Sequence, residues 1–305
     1  MTTSTHEYET DPRNADVLIS VNGELVTRDK AVVSVFDSGF VLGDGVWEGL
    51  RLHNGKLAFI DKHMERLWEG AKALDMDIGL TREELVERLY ETTHANKMTT
   101  GVHIRLMVTR GVKATPYQDP RATITPPTIV IIPEYKLPTE RTLTQGIRLF
   151  TVHVRRAPPD VLDAQINNHS KLNCILACIQ ATKAGFDEAL MLDPRGYVAT
   201  CNSTHFFIVR KGEVWTSSGL HCLRGITRGN VIEVCRRHDI PVFEKDFSLT
   251  QVYSADEAFV TGTFAGLTPA REVDGRIIGD GQRGPMTERL QGLFQALIGE
   301  ECPPE

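Results

Sequence analysis

The stretch 165–193 reads QINNHSKLNCILACIQATKAGFDEALMLD. Its spacing predicts a strand end, a helix over about 169–184, a stop at Gly185 and a second strand over 188–192. Within that helix Leu172, Ile175, Leu176, Cys178 and Ile179 recur three or four residues apart, which gathers them into one apolar stripe.

Upstream, Asn22-Gly23 and Asn54-Gly55 each separate two β-type runs, 17–21 from 24–27 and 46–53 from 56–60. Both pairs mark hairpins, because both turn residues tolerate positive φ. Asp61 opens a helix with an apolar stripe of Met64, Leu67, Trp68, Ala71 and Leu74. Thr81 and Glu84 have the spacing of a capping box for a helix ending near Ala95. Strands over 102–109 and 128–133 follow, separated by a proline-rich loop. EYKLPTER, 134–141, reads as a domain boundary. The expected organisation is therefore a disordered arm over 1–16, a small α/β domain over 17–135, a linker at 136–141 and a larger β-rich domain over 142–305. In the last, strands over 146–155, 188–192, 197–200, 206–210 and 214–216 carry the 169–184 helix against them.

A chain of 305 residues has room for two domains with cores of their own. Its 41% hydrophobic and 24% charged content is that of a soluble globular protein. The net charge of −6, with no basic run, speaks against a nucleic-acid or membrane partner. No apolar run approaches the roughly 20 residues that span a bilayer, and the polar first 16 residues show no secretory pattern. Six cysteines without C-x-x-C spacing read as free thiols of a cytoplasmic protein, with no metal site.

Candidate binding groups come from four places. FDSGFVLGDGVWEG, 36–49, is glycine-rich but lacks the strand–G-x-G-x-x-G–helix context of a dinucleotide loop. Arg66 lies off the apolar stripe of its helix and on spacing alone is a surface charge. Arg105 and Arg110 either reach a substrate carboxylate or pair on a sheet face. GITRGNVIEVCRRHDIPV, 225–242, is a glycine turn opening a helix, which is either an ordinary helix start or an anion seat built from free backbone N–H groups.

Taken together these motifs resemble the class IV aminotransferases, the fold-type IV pyridoxal-phosphate (PLP) enzymes that include branched-chain and D-amino-acid aminotransferases. The match runs from about Val17 to Phe294 and implies the α+β fold-type IV architecture and a homodimer. FDSGFVLGDGVWEG is similar to the family's D-R-G-F-x-x-G-D-G-V-F-E-G, where Phe40 takes a position lining the active site. His63, Arg66 and Leu67 match H-x-x-R-L, whose arginine holds the PLP phosphate. Ile226 and Thr227 match G-I-T-R-D. Thr263 and Phe264 fall in FVTGTFAGLTPA, similar to F-x-x-G-T-A-A-E-I-T-P-V. On this resemblance Arg66, Ile226, Thr227, Thr263 and Phe264 bind the cofactor.

The catalytic half departs from the family. Laid without gaps on I-K-S-L-N-Y-L-N-N-I-L-A, residues 166–177 put Asn167 where the Schiff-base lysine belongs, and Lys171 where many members have tyrosine. Thr200 stands at the glutamate that keeps the pyridine nitrogen protonated. Cys201 replaces a glycine and His205 an asparagine. Lys171 is then a substitute nucleophile or base, or a partner for a carboxylate or the phosphate. Cys201 and His205 are either chemical groups or pocket lining.

Three functions stay open at this point. The first is a divergent class IV enzyme acting on an amino or keto acid, with PLP or pyridoxamine phosphate (PMP) held mainly by its phosphate. The second is a PLP-independent lyase or hydrolase that reuses the phosphate cup. The third is a non-catalytic ligand-binding dimer.

Overall fold

A computed structural model describes Tyr8 and residues 10–304. Most of the arm expected to be disordered, residues 1–7 and 9, lies outside the described residues. Pro12–Asp16 forms a 3₁₀ turn capped by the Asp11 side chain.

The chain divides into two compact units. The N-terminal unit comprises Thr10–Leu137, Ile166–Ser170 and residues 301–304. Its elements are β1 (Ile19–Val21), β2 (Glu24–Val26), α1 (Ser38–Leu42), β3 (Gly45–His53), β4 (Lys56–Leu57), α2 (Ile60–Ala73), α3 (Arg82–Ala95), β5 (Val102–Thr109) and β6 (Thr128–Tyr135). They form an antiparallel six-stranded sheet in the order β2-β1-β6-β5-β3-β4. Asn22-Gly23 and Asn54-Gly55 all have positive φ, as the hairpin turns require.

Alternation decides what the sheet buries. Val102, Ile104, Leu106 and Val108 of β5 and Val46, Leu50 and Leu52 of β3 face a core shared with Met64, Leu67 and Ala71 of α2 and Leu85 and Leu89 of α3. Each Val, Leu, Ile or Met among these contributes about 1.5–3 kcal/mol. The α3 capping box is complete: Thr81 Oγ1 accepts the Glu84 N–H at 3.2 Å, and Glu84 Oε2 accepts the Thr81 N–H at 2.7 Å.

The C-terminal unit comprises Pro138–Gln165 and Lys171–Glu300. Its elements are α4 (Glu140–Gln145), β7 (Ile147–Thr151), α5 (Pro159–Leu162), α6 (Leu172–Lys183), β8 (Glu188–Leu192), β9 (Val198–Cys201), β10 (His205–Arg210), β11 (Glu213–Thr216), α7 (Ile226–Arg237), β12 (Val242–Glu244), α8 (Leu249–Tyr253), β13 (Glu257–Gly262), β14 (Gly266–Val273), β15 (Arg276–Ile277) and α9 (Pro285–Glu301). A mixed nine-stranded sheet runs β12-β11-β10-β13-β14-β7-β8-β9, with β15 on β14.

Strand β8 is buried on both faces. Leu190 and Leu192 join one core with Phe206, Ile208 and Val260, while Ala189 and Met191 lie under α6 against Ala177 and Ala181.

One expectation for this helix needs correction. It starts at Leu172 rather than near His169, because the preceding residues are taken up by β3: the His169 N–H donates to Gly45 O at 3.0 Å and Asn168 bridges to Val46. The apolar stripe does not face the core of its own unit. Leu172, Ile175, Leu176 and Ile179 are 45–64% exposed, and the small Ala177 and Ala181 pack inward instead. Periodicity marks an apolar face but does not say which neighbour covers it.

Candidate active site

In the N-terminal unit the site is built on β3. Its core-facing alternation puts Glu48 beneath α2 with no exposed side-chain surface. A charge there requires partners, and α2 supplies two. Arg66 makes a bidentate pair, Nε to Oε1 at 2.8 Å and Nη2 to Oε2 at 2.6 Å, and His63 Nδ1 lies 2.7 Å from Oε2. Burial pushes the Glu48 carboxyl up, but Arg66 and His63 outweigh it and hold the group below the usual range. Burial in turn lowers His63 and keeps it neutral, despite the bond to Glu48. Arg66 is thus a fixed cation. Glu48 is the residue that reading the sequence missed; its signal was a carboxylate at a core-facing strand position with His63 and Arg66 one helical turn apart opposite it.

The other face of the same sheet gathers cations. Arg105 lies over the Trp47 ring at 4.0 Å. Burial lowers Arg105 and Lys136 and takes Arg51 down to about 10. Burial and the neighbouring Arg51 together bring His53 to about 4. Desolvated positive charge favours an anion as ligand.

Arg110, expected to reach a substrate or to pair on a sheet face, takes a structural role. Its guanidinium bonds Asp44 at 2.7 and 3.2 Å and the carbonyls of Asp75 and Leu74 at 2.9 and 2.7 Å. Phe40, on the short α1, is exposed. Asn167 is buried and pinned to β3: its Nδ2 donates to Trp47 O at 2.7 Å and its carbonyl accepts the Trp47 N–H at 3.0 Å.

In the C-terminal unit α7 packs on β13, which runs into the turn carrying Thr263 and the buried Phe264. The N-cap of α7 is Gly225, which offers no side-chain acceptor, and Ile226 and Thr227 behind it are buried. The turn has no room for a larger residue, since a Cβ on Gly225 would meet the His205 ring at 2.5 Å. His205 buttresses this turn, with Nε2 2.6 Å from Leu223 O.

Thr200 and Cys201 are held in one tight corner. Thr200 Oγ1 donates to Thr204 O at 2.8 Å, so its hydroxyl hydrogen is committed. Glu188 Oε1 accepts the Ser203 and Thr204 hydroxyls, both at 2.8 Å. Cys201 is fully enclosed, and burial together with the Glu188 charge raises its thiol well above the ordinary value. Of its two expected roles this favours pocket lining, because the thiolate is the reactive form. Cys201→Ala is expected to retain turnover within about threefold, and iodoacetamide mapping of the native protein should leave Cys201 unlabelled until unfolding. Lys171 is half-buried as the N-cap of α6. Among the described residues no cluster of His, Cys, Asp and Glu is placed to hold a metal ion, and no helix is long and apolar enough to cross a membrane.

Comparison with known proteins bears on the chain as a whole. Residues 45–273 match the family model described as amino-transferase class IV. The chain is 41% identical over 286 residues to branched-chain-amino-acid aminotransferase-like protein 2 of Arabidopsis thaliana, covering 94% of this chain and 51% of that protein. It thus spans about half the length of that relative. It is also 41% identical over 281 residues to a putative branched-chain-amino-acid aminotransferase of Methanocaldococcus jannaschii, covering 92% and 96%. Among solved structures, a T.th. branched-chain amino acid aminotransferase with pyridoxamine 5′-phosphate superposes with a TM-score of 0.86 at 31% identity, covering 93% of this chain and 95% of that one.

Proposed function

The chain belongs to the class IV aminotransferases, and from that premise we propose that it acts on an amino acid or its keto acid with PLP or PMP held through the phosphate rather than by a covalent link to lysine. The observation that carries this is the start of α7, where Gly225 leaves the first N–H groups without a side-chain cap and Ile226 and Thr227 are buried behind it. Such a terminus suits a phosphate by charge and by geometry. Thr263, Phe264 and Arg66 are the further residues assigned to the cofactor, and Glu48 orients Arg66 for it.

When bound, PLP supplies an electron sink for the substrate carbon next to nitrogen. This chain's own residues set the limits on how well that sink works. Asn167 has an amide where the linking lysine is expected, and an amide offers no amine for linkage or proton transfer. Thr200, with its hydrogen given to Thr204, can accept a bond but cannot hold a proton on a ring nitrogen. The desolvated cations around Arg105 favour a substrate carboxylate. Lys171 is the remaining candidate for proton transfer. A cofactor-free lyase or hydrolase draws no support from the enclosed Cys201 thiol. The free cysteines suit a reducing cytoplasm.

The test is to titrate the purified chain with PLP and with pyridoxal. Tight binding of PLP but not pyridoxal, weakened about tenfold or more by Arg66→Met, supports the phosphate seat. Equal, weak binding of both would sink it. Amine transfer from L-leucine, L-valine and D-alanine then separates an enzyme from a non-catalytic binder.

A homodimer is part of this reading, supported by the four exposed large apolar side chains that line one stripe of α6. Leu172→Glu combined with Ile175→Glu is expected to halve the mass seen by light scattering from two chains to one. An unchanged mass would place the interface elsewhere.

A further inference from the structure

The far end of β14 carries a second cleft. At roughly 3.3 Å per residue, Arg271 lies about 17 Å along the strand from Gly266, beyond the turn that holds Thr263. The cleft measures about 480 Å³ and is lined by Arg141, Arg148, Asp187, Arg271, Glu272 and Asp280 among others. That volume falls within the range of small-molecule clefts, about 300–1,000 Å³.

Two of its groups are incomplete. Strand β14 slips register against β7 between Ala270 and Glu272, which makes Arg271 the extra residue of a bulge, a device that re-aims a side chain. Arg271 Nε is buried without a hydrogen-bond partner. Asp187 uses one oxygen only: Oδ2 accepts the Arg148 N–H at 2.7 Å and sits 3.6 Å from Arg148 Nε. Its Oδ1 is buried without a partner, on a side chain that is 1% exposed. Leaving such groups unmet costs about 1–3 kcal/mol each. One is a donor on a cation and the other an acceptor on an anion.

A simple anion answers only the arginine, and a simple cation only the aspartate. Three guanidinia and three carboxylates line the cleft, so its formal charges cancel and favour a ligand with separated charges and no net charge. We propose that this cleft binds a free α-amino acid, its carboxylate on Arg271 and its ammonium on Asp187 Oδ1. The site is independent of the PLP reading.

The test is hydrogen–deuterium exchange on the full chain with millimolar glycine or L-leucine, set beside propionate and inorganic phosphate. Binding slows exchange in peptides covering 141–148 and 270–282, while peptides over 225–230 report separately on the proposed PLP seat. Calorimetry should show Arg271→Gln and Asp187→Asn each weakening glycine about tenfold, the loss of one charge-assisted bond. Propionate, which lacks the ammonium, should bind weakly and alike in wild type and D187N. The exposed Arg141→Gln, which should not disturb folding, provides a further variant expected to weaken the carboxylate. If neither amino acid protects these peptides, or phosphate protects them and the amino acids do not, the proposal is overturned.

Discussion

On the reading proposed above, Asn167→Lys is expected to turn reversible holding of PLP into covalent holding. The wild type should release the cofactor on gel filtration and give no labelled peptide after borohydride reduction. The variant should give a reduced adduct at residue 167 and gain about 10²–10⁴ in amine-transfer rate, the range ascribed to a positioned proton-transfer group. The position is suited to a fixed side chain, since residue 167 is buried and its carbonyl is already bonded to the Trp47 N–H at 3.0 Å. The substitution loses the 2.7 Å bond from the amide to Trp47 O. Peptide mapping decides between outcomes. An adduct on Lys171 in the wild type would mean that the link has moved along the chain, and no adduct in the variant would mean that residue 167 does not face the cofactor.

Glu48→Ala should be the most destabilising single change in the N-terminal unit. It leaves the Arg66 guanidinium, 11% exposed, and the enclosed His63 without their shared carboxylate. Removing one partner of a buried pair costs about 3–5 kcal/mol, which for a protein of this size lowers Tm by roughly 6–20 °C. The pH dependence has a definite sign. Glu48 and His63 both have folded pKa values below their ordinary ones. Each therefore contributes stability above its unfolded pKa, about 6.5 for histidine and 4.3 for glutamate, and that stability is lost as pH falls towards the folded values. Calorimetry of the wild type should show Tm falling as pH drops below about 6.5 and falling further below about 4.3. Glu48→Gln should flatten the lower limb, and a wild-type Tm indifferent to pH between 4 and 7 would contradict the pairing.

What the sequence made legible was local. The two Asn-Gly turns, the Thr81 capping box, the α2 stripe and the extent of β5 depend on residues within a few positions of one another, and the structure shows them as read. Family motifs extended this to the fold. What could not be read was non-local. The start of α6 is set by hydrogen bonds from β3, more than a hundred residues earlier. Arg110 stayed open between a substrate and a structural partner until Asp44 and two carbonyls were placed around it. Cys201 stayed open between a chemical group and pocket lining because a motif says nothing of enclosure. Glu48 was quoted within a motif yet its role depended on α2 lying over it.

The N-terminal unit takes its chain from three places, 10–137, 166–170 and 301–304, and its last segment holds the Asn54-Gly55 turn through Asn54 Nδ2 to Cys302 O at 2.8 Å. On the ribosome this unit is mostly synthesised first but cannot be completed until the end of the described chain emerges. At about 5–20 residues per second, that interval is roughly ten to thirty seconds. For the first few seconds of it, until 166–170 are made, the backbone groups of β3 that later bond Asn167 and His169 wait as an open strand edge, the kind of surface nascent-chain chaperones cover. Release of the chain just short of residue 301 would therefore leave the earlier-made of the two units unfinished.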